Sequence, residues 1–312
     1  ATQEFNRGKV LFRDNNAQLS LEGGELKALT DGKDELVLEL VSGLDQIATD
    51  LVREFNTIHA QGQGSRGFDQ LVGTQSLDPS VEVNSAGLSW EVQGGTFEIS
   101  LVDTEGNHIS RHRIEVRPGG LPQGSTVQSI LDSVNAIDGI RAAINGNGKI
   151  EFSSTLPNVR FTFGEDTSGF IAAAGLNTFF EGHSAETIRV NSFLLANTEY
   201  LAMSSGGINQ DTNVLGQMVN LIDRGIERNG GVSISDAYQQ MVGQFSQAAA
   251  NQRAVTSGLT QYHATLQGEH LAISGVSIDE EAIKLLGYQR VFQASSRVIA
   301  AANEMLELLV SL

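Results

Sequence analysis

Apolar side chains at Leu36, Leu40, Leu44, Ile47, Leu51, Phe55 and Ile58 recur at intervals of three and four. That spacing lays one apolar stripe along a helix near 34–60. Asp34, Glu35, Asp45, Asp50, Arg53 and Glu54 occupy the other faces, and Gly62 and Gly64 follow as stop signals. From about residue 80 the pattern shortens to strand-like segments at 81–85, 88–93, 96–103, 109–117, 140–144, 149–154 and 159–163. Gly94-Gly95, Gly106-Asn107 and Asn145-Gly146-Asn147-Gly148 supply turns between them. One helical pattern, Ile130, Val134 and Ile137, interrupts the strands, with Ser125 and Thr126 as candidate caps.

Helical periodicity returns after about 185, moderate through 214–228 and long and polar-rich through 235–273. The last segment opens on Ser277-Ile278-Asp279-Glu280, a capping-box pattern. Behind it run Leu285, Tyr288, Phe292, Ser295, Ile299, Ala302, Leu306 and Leu309, alternating three and four, with Val291, Val298 and Met305 at sevens. This is a coiled-coil or bundle seam that reaches the final residues, and it expects a partner. The order predicts an α+β protein: a long-helix bundle stem interrupted by a β-rich inserted domain (strand–strand–helix–strand–strand), with a C-terminal coiled-coil-type helix. The expected boundaries are 1–79 for the approach and long helix, 80–190 for the outer insert, 191–275 for returning stem helices and 276–312 for the assembly helix.

Composition narrows the function. The chain has 312 residues, a formal charge of −17, a 40% apolar fraction and no Cys. The length suggests two or three domains, and the apolar fraction rules out whole-chain disorder. A strong acidic excess argues against nucleic-acid binding, which needs a basic face. No stretch approaches 18 consecutive apolar residues, so no membrane-spanning helix is expected. Lack of Cys excludes disulfides, thiolate metal sites and Cys nucleophiles.

Candidate chemistry is thin. Gly62-Gln63-Gly64-Ser65-Arg66-Gly67 matches a dinucleotide-loop spacing, but it follows a helix and precedes none, so it reads as a helix stop and loop. Asp103-Thr104-Glu105-Gly106-Asn107 resembles part of a calcium loop but lacks the ligand order, and reads as a hairpin turn. His108 and His112 sit among arginines, and His263 and His270 are seven apart; neither pair suggests a metal, and all six His read as ordinary. Phe161, Phe163, Phe170, Phe179, Phe180 and Phe193 read as a core cluster where the β-rich block rejoins the helices. No catalytic, cofactor or metal residue is expected.

Two segments carry a resemblance. The run from Phe163 to Gly182, ending in Gly175-Leu176-Asn177-Thr178-Phe179-Phe180-Glu181-Gly182, is similar to a signature of flagellar hook-associated proteins at the hook–filament junction. The tail from Gly275 to Leu308, most recognisably Tyr288-Gln289 and Asn303-Glu304-Met305-Leu306, resembles the C-terminal helix shared by rod, hook and hook-associated proteins. Gly23-Gly24-Glu25-Leu26 and the stretch from Glu54 to Gly62 add support. The family's N-terminal helix, which pairs with the C-terminal one, has no counterpart before Gly23, where 1–35 read as a linker with a strand-like approach. A fragment of a longer chain is expected.

The resemblance implies a non-enzymatic subunit of the extracellular flagellum, exported through the flagellar channel, that joins hook to filament by self-assembly through its terminal helix. It implies as partners further copies, the hook protein and a second junction protein, with an export chaperone on the C-terminal helix. The expected seam is Leu285, Tyr288, Phe292, Ile299, Ala302, Leu306 and Leu309; the signature residues are 175–180 with Asn303, Glu304 and Met305. Alternatives are another axial protein of hook or distal rod, or a secreted adhesin using the 80–165 insert.

Overall fold

The alternation beyond residue 95 folds into two three-stranded antiparallel sheets whose inner faces share one core. In the computed structural model, the residues described are 37–119, 124–275 and 277–310, with scattered positions before 37. The motif at 23–26 and the 1–35 approach therefore fall largely outside the described residues. The chain is α+β, as the pattern predicts, and divides into two units, 1–246 and 247–312.

The first unit opens with α1 (Leu38–Ala60) and the short strand β1 (Gln70–Val72). The β-rich block follows: β2 (Gly95–Asp103), β3 (His108–Val116), α2 (Val127–Asn135), β4 (Ile140–Ile144), β5 (Ile150–Ser154) and β6 (Val159–Asp166). One sheet has the order β3-β2-β6 and the other β1-β5-β4. Where two hairpins flanking a helix were expected, β6 leaves the second hairpin and pairs antiparallel with β2, tying the sheets together. The β2–β3 turn is held by Asp103, whose Oδ1 accepts from the backbone N–H of Glu105 and Asn107, so the Asp-rich loop serves as a hairpin turn. At α2, Thr126 Oγ1 accepts from Ser129 N and Ser129 Oγ accepts from Thr126 N, a reciprocal cap. Val127, Ile130, Leu131 and Val134 face inward from this helix.

Two expected strands are absent. Residues 83–85 form a 3-10 turn instead, and 88–93 are irregular. The reason is local side-chain competition for backbone groups. Glu82 accepts from Asn84 N, while the Asn84 amide bonds both the N–H and the C=O of Val92, replacing a ladder.

The chain returns through α3 (Phe170–Ala173), a small hairpin of β7 (Phe180–Glu181) and β8 (Arg189–Val190), and α4 (Ser192–Ala196). The pattern at 214–228 gives only α5 (Asn213–Asn220) and a 3-10 turn at 227–229. The helix α6 (Ile234–Ser274) starts in the first unit and enters the second. The second unit ends in α7 (Ile278–Val310), where Glu280 N donates to Ser277 Oγ at 3.4 Å.

The large core collects both sheets, α2 and α3, with Phe97, Phe152, Phe161, Phe163 and Phe170 fully enclosed. Phe161 and Phe163 of one sheet meet Phe152 of the other at centroid distances of 5.9 and 5.6 Å. Of the expected phenylalanine cluster, Phe161, Phe163 and Phe170 belong to this core and Phe179 and Phe193 lie at its margin, while Phe180 is not part of it. A smaller core joins Ile58, Ala202, Val214, Met218, Leu221, Ile226 and Ile234, against which Ile47, Leu51 and Phe55 pack. The predicted stripe of α1 serves this second core. Its more deeply buried face is the neighbouring one, Ala48, Val52, Asn56, His59 and Ala60.

Phe161→Ala empties a site at the meeting of both sheets. The expected loss is about 3–5 kcal/mol of unfolding free energy, read as a lower urea midpoint at unchanged denaturant slope.

Candidate assembly site

The signature segment 175–180 lies against the C-terminal end of α1. At Gly175 φ is +73°, and a Cβ there would collide with the side chain and backbone of Thr74, whose N–H donates to the Gly175 carbonyl. Only glycine fits that approach. Leu176 is fully buried. Asn177, also at positive φ, points its Nδ2 at three carbonyls at the C-terminal end of α1 and just beyond it: His59 at 3.3 Å, Ala60 at 3.2 Å and Gly62 at 3.0 Å. A helix leaves its last carbonyls unpaired, and here one buried amide from 115 residues away serves three acceptors at once. Thr178 is buried, and its carbonyl accepts from Asn191 Nδ2.

α1 reciprocates. Asn56 Oδ1 accepts from Phe179 N at 2.9 Å and Phe180 N at 2.8 Å, and its Nδ2 donates to Phe180 O. Phe55 stands 4.8 Å from the ring of Phe179 and 5.0 Å from that of Phe180. His59 is fully enclosed. Its Nδ1 contacts the Asn177 carbonyl at 2.8 Å, and its Nε2 accepts from Ala202 N at 3.1 Å. With Nε2 an acceptor, the ring is neutral and carries its proton on Nδ1. Burial pushes its pKa down to about 4, only partly opposed by the bond to Asn177.

The joint continues into 62–67. Gln63 N donates to Ser204 O, and Met203 N to Gln63 O. A Cβ at Gly64 would strike the Glu199 carbonyl. These glycines let the returning chain pass α1's exit, so the loop reading of this segment holds. His59 and Asn56 were not singled out by spacing. Two polar residues three apart on a helix, followed by Ala60 and two glycines, were the available signal.

The seam residues behave differently. Leu285, Tyr288, Phe292, Ile299, Ala302, Leu306 and Leu309 all lie on α7, and each is exposed, Phe292 at 74% and Leu309 at 73%. Asn303, Glu304 and Met305 are exposed on the same helix. Every α7 side chain from Ile278 to Leu309 is open to solvent, so the helix buries none of its apolar stripe within the described chain. Leu285, Tyr288 and Phe292 edge a shallow hollow of about 400 Å³ with Gln289 and Gln293.

No group of three or more His, Asp or Glu converges as a metal site among the described residues, and no described helix is long and apolar enough to cross a membrane. His108 and His112 lie along β3, where His112 Nε2 meets Ser110 Oγ.

Two outcomes follow for the joint. Asn177→Ala removes the side-chain donor to the Ala60 and Gly62 carbonyls, while His59 O keeps the Gly62 N–H, and forces a Cβ-bearing residue without the asparagine amide into positive φ. About 2–4 kcal/mol of stability is expected to go, measured by urea unfolding. For His59, folding holds the pKa below the unfolded value of 6.5. Its contribution is complete above pH 6.5 and lost as pH falls toward about 4, because the unfolded chain takes the proton first. About 3 kcal/mol is at stake. His59→Gln is expected to remove that part of the pH dependence, seen by comparing urea midpoints of the two proteins between pH 7 and 4.

Comparison with known proteins finds family similarity toward both ends of the chain. Residues 3–74 match a family model described as the flagellar hook-associated protein FlgK helical domain. Residues 267–312 match one described as the flagellar basal body rod FlgEFG protein C-terminal. Flagellar hook-associated protein 1 of Escherichia coli (strain K12) is 28% identical over 181 residues, covering 53% of this chain and 33% of that protein. The chain spans only this third of the relative's length. The chain is thus similar to a flagellar hook-associated protein and, over its last residues, to flagellar rod-type proteins.

Proposed function

We propose that this chain is a structural subunit of the extracellular flagellum that joins hook to filament by self-assembly, with α7 as its assembly element. The observation that carries the reading is the uninterrupted exposed stripe of α7. A helix this long with no buried side chain among its described residues gains little from its own packing, and helical stability in proteins comes mainly from a buried apolar face. Each large seam side chain buried against a neighbour contributes about 1.5–3 kcal/mol, while association costs roughly 4–15 kcal/mol. Most of the seam must therefore be covered at once, which favours a continuous helical layer over a point contact.

In this reading the β-rich block, 80–190, faces outward from a stem built on α1, α5 and α6. The partners are further copies and neighbouring axial proteins, among them a hook protein and a second junction protein, and an export chaperone covers the C-terminal helix before assembly. The role is structural rather than catalytic. A hook or distal-rod subunit is the second reading, favoured by the rod-type match over 267–312. The helical-domain match over 3–74 weighs toward the junction.

Phe292→Asp with Ile299→Asp places two charges in the seam and removes about 3–6 kcal/mol of burial, a loss of at least roughly 100-fold in association. Sedimentation is expected to show loss of assembly while urea unfolding of the first unit is unchanged. Assembly of the double variant at wild-type concentrations contradicts the reading.

A further inference from the structure

Away from the seam, and bordering the joint at Asn56, Gly175, Thr178 and Phe180, one hollow has an unusual chemistry for so acidic a chain. A groove of about 570 Å³ lies in the first unit between α1, the turns at 74–75 and 89–90, the start of β5 and the β7–β8 hairpin. Its charged lining is Arg53, Lys149, Arg189 and a single carboxylate, Glu181. Arg189 takes Glu181 at 2.8 Å, which leaves Arg53 and Lys149 uncompensated. The carboxylates beside Arg53 on α1 turn elsewhere: Asp50 accepts from Asn229 and Glu54 pairs with Arg224. Arg53 is held in place with its guanidinium 5.4 Å over the ring of Trp90, so its donors are fixed rather than mobile. Neither Lys149 Nζ nor the indole N–H of Trp90 has an acceptor among the described residues. The groove is thus rich in donors and positive charge and short of acceptors.

We propose that this groove receives carboxylate side chains of a second copy of the chain, as a lateral contact between assembled subunits. The inference rests on the axial reading above for the presence of neighbours. Charge complementarity chooses the occupant. Each copy carries 37 Asp and Glu against 20 Lys and Arg, so packed copies repel unless a local cationic site meets a neighbour's acidic surface. An acidic saccharide would share the carboxylate, but it stacks on a free aromatic face, and Arg53 covers the one Trp90 offers. The contact is heterologous, because the cationic groove of one subunit meets an acidic surface elsewhere on the next.

Trp90 is the chain's only tryptophan, which makes the test direct. A Trp90→Phe chain has no tryptophan, so under excitation selective for tryptophan it is silent, yet it keeps its acidic surface. Adding it to the wild-type chain is expected to give a saturable change in Trp90 emission. That response weakens by roughly tenfold or more in apparent affinity when the reporter carries Lys149→Glu, survives in Lys149→Arg, and fades near 1 M NaCl, where the screening length is about 3 Å. Lys149→Glu leaves the Arg53–Trp90 stack in place, and its unfolding curve checks that the reporter is folded. Association by sedimentation with no Trp90 response overturns the inference and leaves the axial reading standing. Neither association nor response overturns both. A response to a polyuronate oligosaccharide but not to the silent copy overturns the occupant.

Discussion

The capping of α1 by a distant asparagine is the interaction on which the first unit depends. A helix ending inside a protein must find partners for its last carbonyls, and α1 ends against the large core rather than in solvent. Asn177 supplies them, and Asn56 repays the service by satisfying the backbone at Phe179 and Phe180. His59 closes the third side by bonding both the Asn177 carbonyl and the returning chain at Ala202. Because these bonds are buried and mutually dependent, loss of one exposes the others to full desolvation cost. The joint therefore fixes how the helix that belongs to the small core meets the sheets that build the large one.

That rigidity sits beside a second unit of opposite character. The polar joint is bonded largely within the first unit, with Asn177 Oδ1 its one buried atom lacking a partner among the described residues, whereas the apolar stripe of α7 is exposed among the described residues. In the proposed reading two tasks are separated: the described part of the first unit carries its own two cores, and the terminal helix holds its burial energy in reserve for neighbours. The acidic surface then sets a condition on assembly, since like-charged subunits need either a strong apolar seam or local cationic contacts to pack closely.

What the sequence revealed follows the range of the interactions. The helix of α7, the cap of α2 and the turns at Asp103 and Asn145 are written within a few residues of each other, so spacing alone finds them. The segments 81–85 and 88–93 look like strands because their apolar residues are buried, but Glu82 and Asn84 claim the backbone groups a ladder would use. For α1, periodicity identified the helix and the stripe facing the small core. It missed the neighbouring face, since Asn56 and His59 are polar and their partners lie more than 115 residues away. Resemblance had marked both the end of α1 and 175–180, without saying that they touch. The groove around Lys149 was invisible for the same reason: its cations come from α1, the turn before β5, and β8, and only the fold brings them together.

Hydrogen exchange, followed residue by residue in the free chain and again after assembly, addresses the division between a finished first unit and a waiting helix. The account predicts slow exchange at 56–62 and 175–180 in both states, with 278–310 exchanging fast in the free chain and strongly protected once assembled. Protection of 278–310 in the free, monomeric chain, unchanged on assembly, would contradict it.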